Sequence, residues 1–271
     1  MKFSYRLGII GYGNMAQAIV GGILKSAYLK PEEILISDNH KERLLSCQEQ
    51  GFGITETNRQ IVEECEYVLL AVKPQSLEKL SEELKGYCRF GTLISILAGV
   101  RKDTIRKSLC LTSANIARIM PNTPAKLGEG MTLIDAEDLT KTQSDFVFGL
   151  FRCVGKTIAL KEDFINAATA ISGSGPAYFY LFIQGLKEAG IKLGLTPEVA
   201  ETLAAQTAVG SGKMVLEKLL PIETLIQNVC SKGGTTIEAV QSFQNDALDE
   251  TILRAVNACF RRATELEGPT Q

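Results

Sequence analysis

Gly8-Ile9-Ile10-Gly11-Tyr12-Gly13-Asn14-Met15-Ala16 decides the fold. The apolar run 7–10 leads into the glycines and reads as a buried strand. Residues 16–24 follow with apolar side chains at helical spacing. Gly11, Gly13 and Ala16 fit the pattern G-x-G-x-x-G/A. Each position has a physical reason: a tight turn at Gly11, backbone close to a pyrophosphate at Gly13, and close helix–strand packing at Ala16. Free N–H groups and the positive end of the helix then hold the phosphates.

Outward from this stretch the chain alternates. Residues 34–36 read as a second strand, with Asp38 just beyond and a helix from Lys41. Residues 67–72 are a third strand stopped by Lys73-Pro74, and 75–84 are helical. Residues 92–97 form a fourth strand ending at Ala98-Gly99, and 114–120 a fifth, stopped by Pro121. Residues 131–134 and 156–160 read as later strands around a helix at 139–151. The alternation predicts an α/β fold, a Rossmann-type doubly wound and mostly parallel sheet. After residue 160 only helices are predicted: 165–171, 177–193, 197–219, 222–229, 235–243 and 248–266. Thr196-Pro197 marks one start, a capping Thr before Pro at the first helical position. The chain therefore divides into 1–160, a dinucleotide-binding domain, and 161–271, an all-helical domain, which the family resemblance given below makes the substrate and dimerisation domain. Small residues such as Ala204, Ala208 and Gly212 permit close helix approach, and the bundle is expected to be completed by a partner subunit.

Composition narrows the function classes. With 45% hydrophobic residues in 271, a full core is available. A formal charge of -2 gives no electrostatic case for nucleic acid or an anionic membrane. No apolar run is long enough to span a bilayer, and the chain enters its first strand without a signal-peptide segment, so a cytoplasmic location is expected. Cys47, Cys65, Cys88, Cys110, Cys153, Cys230 and Cys259 are scattered with no C-x-x-C, which predicts reduced thiols and no metal site. His40, the one histidine, sits in a polar turn with no evident partner and is expected to be solvated rather than catalytic.

Ligands of a doubly wound sheet sit at the carboxyl ends of its strands. Those ends are Gly11 to Met15, Ser37-Asp38-Asn39, Ala71-Val72-Lys73-Pro74, Leu97-Ala98-Gly99 and Pro121-Asn122-Thr123-Pro124. At the second tip an acidic residue bonds the ribose hydroxyl of NAD, whereas basic groups accept a 2′-phosphate. Asp38 speaks for NAD; Ser37, Asn39, Lys41 and Arg43 could instead surround a phosphate, and the preference stays open. Two Gly-rich turns open helices in the second half, Ser172-Gly173-Ser174-Gly175-Pro176-Ala177-Tyr178 and Ser231-Lys232-Gly233-Gly234-Thr235-Thr236. Such starts can bind carboxylate or phosphate.

Together these motifs resemble the pyrroline-5-carboxylate reductase family across nearly the whole chain. Arg118-Ile119-Met120-Pro121-Asn122-Thr123-Pro124 and Ser172 to Tyr178 carry the resemblance more specifically than the glycines do. The resemblance implies hydride reduction of 1-pyrroline-5-carboxylate to L-proline, the last step of proline biosynthesis. NADPH is the first expectation as cofactor and NADH the alternative. It implies a homodimer with an interlocking helical domain, and beyond it a higher homo-oligomer such as a decamer. It places the cofactor on Ile10, Gly11, Tyr12, Gly13, Asn14, Met15, Ser37, Asp38, Asn58, Ala71, Val72, Lys73, Pro74, Leu97, Ala98, Gly99 and Asn228. The substrate falls on Glu162, Ser231, Gly234, Thr235 and Thr236, with Thr236 the catalytic residue.

Two departures stand out. The family usually has Pro where Lys232 stands, which predicts a looser turn or a stronger pull on a carboxylate. Many relatives carry Asn-Arg or Ser at the second tip, where this chain has Asp38-Asn39. No His or Cys recurs in the motifs, so the protein is expected mainly to orient the reactants. The imine nitrogen takes its proton from water or from Thr236, and Lys73 is a weaker candidate for the acid. This reading needs the two anion cradles to face one another closely. Two rivals share the architecture: another imine or β-hydroxyacid reductase, with Lys187 or Lys192 on the central helix of the second domain, and a nucleotide-binding module without chemistry.

Overall fold

A computed structural model describes residues 3–87, 91–111 and 115–268. Its sheet is built from β1 (Tyr5–Ile10), β2 (Ile34–Ser37), β3 (Gly53–Thr55), β4 (Cys65–Leu70), β5 (Thr92–Ser95), β6 (Ile116–Met120), β7 (Gly130–Asp135) and β8 (Gly155–Ala159). The strand order is β3-β2-β1-β4-β5-β6-β7-β8, and every pair is parallel except β6 with β7. From β1 the chain winds one way to β3 and then the other way from β4. The switch point between β1 and β4 therefore lies at the Gly11 turn, where such a sheet leaves a crevice.

Strands β2, β4 and β5 are buried almost throughout, as parallel strands covered on both faces must be. The helices that cover them are α1 (Asn14–Lys25), α2 (Lys41–Glu49), α3 (Asn58–Glu64), α4 (Leu77–Glu83), α5 (Lys102–Ser108) and α6 (Lys141–Arg152). One core joins Leu7, Ile9, Tyr67 and Leu69 of the strands to Ile19 and Ile23 of α1 and Val147 and Phe151 of α6. The other joins Ile10, Val68 and Leu70 to Ile61 of α3, Leu80 of α4 and Ile105 of α5. Successive side chains of one strand thus feed opposite cores. Ala16 is 1% exposed within the first of them.

The second half is helical, as its spacing predicts: α7 (Ile165–Ala168), α8 (Gly175–Lys192), α9 (Pro197–Leu216), α10 (Ile222–Val229), α11 (Thr235–Asn245) and α12 (Leu248–Glu267). The Thr196 hydroxyl accepts the Val199 N–H at 3.4 Å, the cap expected there. Between α7 and α8 the chain makes one π-helical turn, Thr169–Gly173.

Three elements have no counterpart in the sequence reading: β3, α3 and α5. Each is short, and α3 offers only Ile61 and Val62 to the core, too few to show a period. The expected strand start at Ala114 lies outside the described residues, as does Cys88. The third and fourth predicted strands end early, at Leu70 and Ser95, which leaves 71–74 and 96–99 as loops beyond the sheet edge.

By contact the chain forms two units, Met1–Gly173 with Phe260–Gln271, and Ser174–Cys259. The composition change near residue 160 thus falls short of the break in contacts. Ile165 and Ala170 are buried, Asn166 meets Arg118, and Asn122 donates to the Ser172 carbonyl at 2.9 Å, so the first helical residues belong with the sheet. Helix α12 begins in one unit and ends in the other.

Candidate cofactor and substrate site

The strand tips of the first unit are stitched together. Gly11 N–H donates to the Ser37 carbonyl at 2.8 Å, Ala71 N–H to Ile10 at 2.9 Å, and Ile96 N–H to Leu70 at 3.2 Å. Gly11 has φ +90°, a left-handed value that favours glycine. Gly13 is the N-cap of α1 and offers no side-chain cap, and a Cβ there would meet nothing within 4 Å. No acidic residue lies in the first turn of α1. An uncapped helix start with open space in front and no negative charge fits a dinucleotide pyrophosphate. Ile10, Gly11, Tyr12, Gly13, Asn14 and Met15 all lie on this turn.

Asp38 behaves differently from a ribose reader. Its side chain is 6% exposed. One oxygen accepts the Tyr12 N–H at 2.7 Å; the other accepts the His40 N–H at 2.8 Å and meets His40 Nδ1 at 2.8 Å. Arg43 lies 3.4 Å away. Burial alone would raise the carboxyl, but the N–H bonds from Tyr12 and His40 hold it below the ordinary carboxylate range. The carboxylate braces the glycine turn against the second tip. His40 is exposed, as its polar turn predicts, but it has a partner that its sequence context does not reveal.

The neighbouring positions are also tied. Ser37 Oγ donates to Asn58 Oδ1 at 2.6 Å, and Asn58 gives its backbone N–H and its Nδ2 to Glu83 at 2.9 and 2.7 Å. Ala71, Val72, Lys73 and Pro74 leave the end of β4, with Lys73 exposed and Pro74 opening a single 3-10 turn. Leu97 is 2% exposed, and its N–H meets Ser95 Oγ at 3.3 Å; Ala98 and Gly99 carry the loop on. Asn122 is almost buried, its oxygen accepting the Met131 N–H at 2.9 Å. Its proline-flanked loop is a brace within the first unit.

Glu162 lies in the same unit, and its oxygens are engaged. It accepts the Lys102 N–H at 2.7 Å, capping the start of α5, and meets Arg118 at 3.3 Å and Arg101 at 3.4 Å. Beside it Lys102, 6% exposed, reaches Asp135 at 2.9 Å and Asp138 at 3.3 Å. The sequence reading missed Arg101 and Lys102, and quoted Arg118 only as part of a motif, with no role in the site. Only the fold gathers the three charges.

Ser231, Gly234, Thr235, Thr236 and Asn228 belong to the second unit. Gly234 N–H closes a turn on the Ser231 carbonyl at 2.9 Å, with Gly233 at φ +73° as its third residue. Gly234 is the N-cap of α11 and has no side-chain cap. Ser231, Thr235, Thr236 and Asn228 are exposed. The start of this helix therefore holds unengaged donors, the arrangement that receives a carboxylate. On α8, Lys187 pairs with Glu201, and Lys192 sits in the last turn.

Comparisons with known proteins agree with this geometry. A family model described as pyrroline-5-carboxylate reductase dimerisation matches residues 162–266, and one described as NADP oxidoreductase, coenzyme F420-dependent, matches 6–99. A pyrroline-5-carboxylate reductase of Haemophilus influenzae is 36% identical, over 96% of this chain and 97% of its own. One of Synechocystis is 36% identical over 97% and 98%. Among solved structures, a pyrroline-5-carboxylate reductase of Coxiella burnetii superposes with TM-score 0.88 at 36% identity, covering 98% of this chain and all of that one. One from Plasmodium falciparum with NADP bound gives 0.87 at 29% identity, covering 99% of this chain and all of that one. By fold and by these relatives, the chain belongs to the pyrroline-5-carboxylate reductase family.

Proposed function

We propose that this chain reduces 1-pyrroline-5-carboxylate to L-proline with NAD(P)H, the last step of proline biosynthesis. The observation that carries the reading is the pair of uncapped helix starts on one polypeptide, Gly13 before α1 and Gly234 before α11. One suits a pyrophosphate and the other a small carboxylate.

The bound nicotinamide supplies a hydride to the imine carbon. The protein's share is to hold and orient. Gly11 to Met15 take the pyrophosphate, with the cationic Lys73 at the neighbouring tip. The N–H groups after Gly234 and the hydroxyls of Ser231 and Thr235 take the substrate carboxylate. Thr236 Oγ lies against the ring nitrogen and relays a proton from solvent, giving one up as it takes another. One hydride and one proton convert the imine to the amine, so no stronger acid is needed. Glu162, its oxygens engaged by Arg118, Arg101 and the α5 start, braces the first unit rather than meeting the substrate directly.

NADPH is the proposed cofactor of choice. Support comes from the inward turn of Asp38, which removes the outward acid that would repel a 2′-phosphate. Exposed Asn39 and Lys41 follow it in sequence, and His40 and Arg43 already neutralise its carboxylate. The working form is proposed to be a homodimer or a larger multiple. Helices α8 to α12 bury only Gly175, Ala200 and Ala204, while Phe179, Leu181, Leu219 and Leu253 stay exposed, an apolar surface that a second copy would cover. A reducing, cytoplasmic setting suits the free cysteines Cys47, Cys65, Cys110, Cys153, Cys230 and Cys259. No helix among the described residues is long and apolar enough to cross a membrane.

The test is initial rates with 1-pyrroline-5-carboxylate and each reduced nucleotide. NADPH oxidation that depends on the imine and exceeds the NADH rate is expected. Reduction of NAD(P)+ by 3-hydroxyisobutyrate instead, or no imine-dependent rate, would overturn the reading.

A further inference from the structure

Arg118 sits in β6, 3% exposed, and its guanidinium meets Glu267 at 2.5 Å, Glu162 at 3.3 Å and the Asn166 amide oxygen at 3.5 Å. Arg101, ahead of α5, reaches the other Glu267 oxygen at 3.7 Å and Asp163 at 2.7 Å. Glu267 is the last residue of α12, yet its side chain is 7% exposed. Burying a carboxylate at a helix end is costly unless it is paired, and here two arginines pair it. No residue of α12 is buried as a whole, so the ion pairs, not an apolar face, seat its last turn on the first unit.

That turn lands on a particular place. Gly99 has φ +70°, and a Cβ there would lie 3.2 Å from the Leu266 Cβ. The Leu266 Cβ and carbonyl thus lie against the left-handed turn at the tip of β5, next to Glu267 in sequence, while the rest of the Leu266 side chain is exposed. The same two arginines hold Glu162, so one cluster ties the loop 97–99, the start of α5 and the end of the last helix.

We propose that Glu267 is a positioning residue for the nicotinamide end of the cofactor. Held by Arg118 and Arg101, it seats Leu266 on Gly99 and fixes the loop 97–99. This rests on the reading of 97–99 as cofactor-contacting. The adenosine end belongs to β2, from which β1 and β4 separate β5, so the clamp acts on one end only.

The experiment is calorimetric titration of NADP+ and of adenosine 2′,5′-bisphosphate into the wild-type chain and Glu267→Gln, with KM and kcat for NADPH alongside. The expected result is NADP+ affinity reduced about fivefold or more. Affinity for the bisphosphate is unchanged, KM rises more than kcat falls, and Glu267→Asp recovers most of the loss. NADP+ affinity unchanged in folded Glu267→Gln overturns the clamp. Equal weakening of both ligands overturns it too, because that is a general structural loss. If Glu267→Gln does not fold, Arg101→Met, at the more exposed side of the same carboxylate, gives the same contrast. A wild-type chain that binds neither ligand overturns the cofactor reading itself, a failure distinct from the first two.

Discussion

The turn before α1 and the turn before α11 share a backbone plan. Each places a glycine at positive φ, Gly11 at +90° and Gly233 at +73°, and each then starts a helix from a glycine N-cap with no side-chain cap. They differ in what holds them. The first is fixed by Ser37, by the paired strands around it and by the buried carboxylate of Asp38 on Tyr12. The second has one turn bond, Gly234 to Ser231, and exposed side chains. The first is therefore preorganised by the sheet. The second keeps its donors open, with no side-chain cap at its helix start. The proposed roles fit this difference: the large dinucleotide on the rigid cradle and the small substrate on the looser one.

The contrast can be broken at either end. The largest effect is expected from Thr236→Ala, which removes the hydroxyl proposed to protonate the imine nitrogen: kcat falls about a hundredfold, the scale of losing one aimed donor. NADP+ affinity, measured by titration, stays unchanged. Next is Asp38→Ala, which unties the rigid cradle. A bond to a charged group contributes about 1.5–3 kcal/mol, so NADP+ affinity drops by about tenfold or more. If Asp38 were a ribose reader, the same change would instead move preference from NADH toward NADPH, and the ratio of the two rates decides. Asp38 also gives a pH signature. Its folded carboxyl lies below the ordinary value, so its stabilisation is present above the unfolded value, near pH 4, and is lost as pH falls through the lowered folded value. Acid unfolding of Asp38→Asn followed by circular dichroism should be correspondingly shallower. The smallest effect is expected from Lys232→Pro. Lys232 is the second residue of a turn whose third is Gly233, where Pro presets φ. Thermal unfolding should show a gain of about 0.4–1 kcal/mol. A rise in KM for the imine would show that the lysine also attracts its carboxylate.

Much of this was legible from the chain. The glycine pattern between an apolar strand and an amphipathic helix placed the switch point, because strand, turn and helix there are contiguous. The Thr196 cap and the change from strands to helices were equally local. What escaped was short or distant. β3 and α5 are too brief to show a period, and the partners of Glu162 come from residues 101, 102 and 118. Asp38 was visible, but its direction was not: whether a carboxylate faces a ligand or its own backbone depends on where Tyr12 and His40 lie once β1 and β2 are paired.

The sequence by itself determined the family, the fold class and the two glycine turns, since each rests on neighbours along the chain. Only the tertiary structure decided which polar groups are engaged and which stay open. It turned Asp38 inward, placed Glu162 and Glu267 on the buried Arg118 and the partly exposed Arg101, and left the start of α11 without a side-chain cap. Desolvation gives the reason: a charge taken out of water must find partners, and those partners come from strands and helices far apart in the chain.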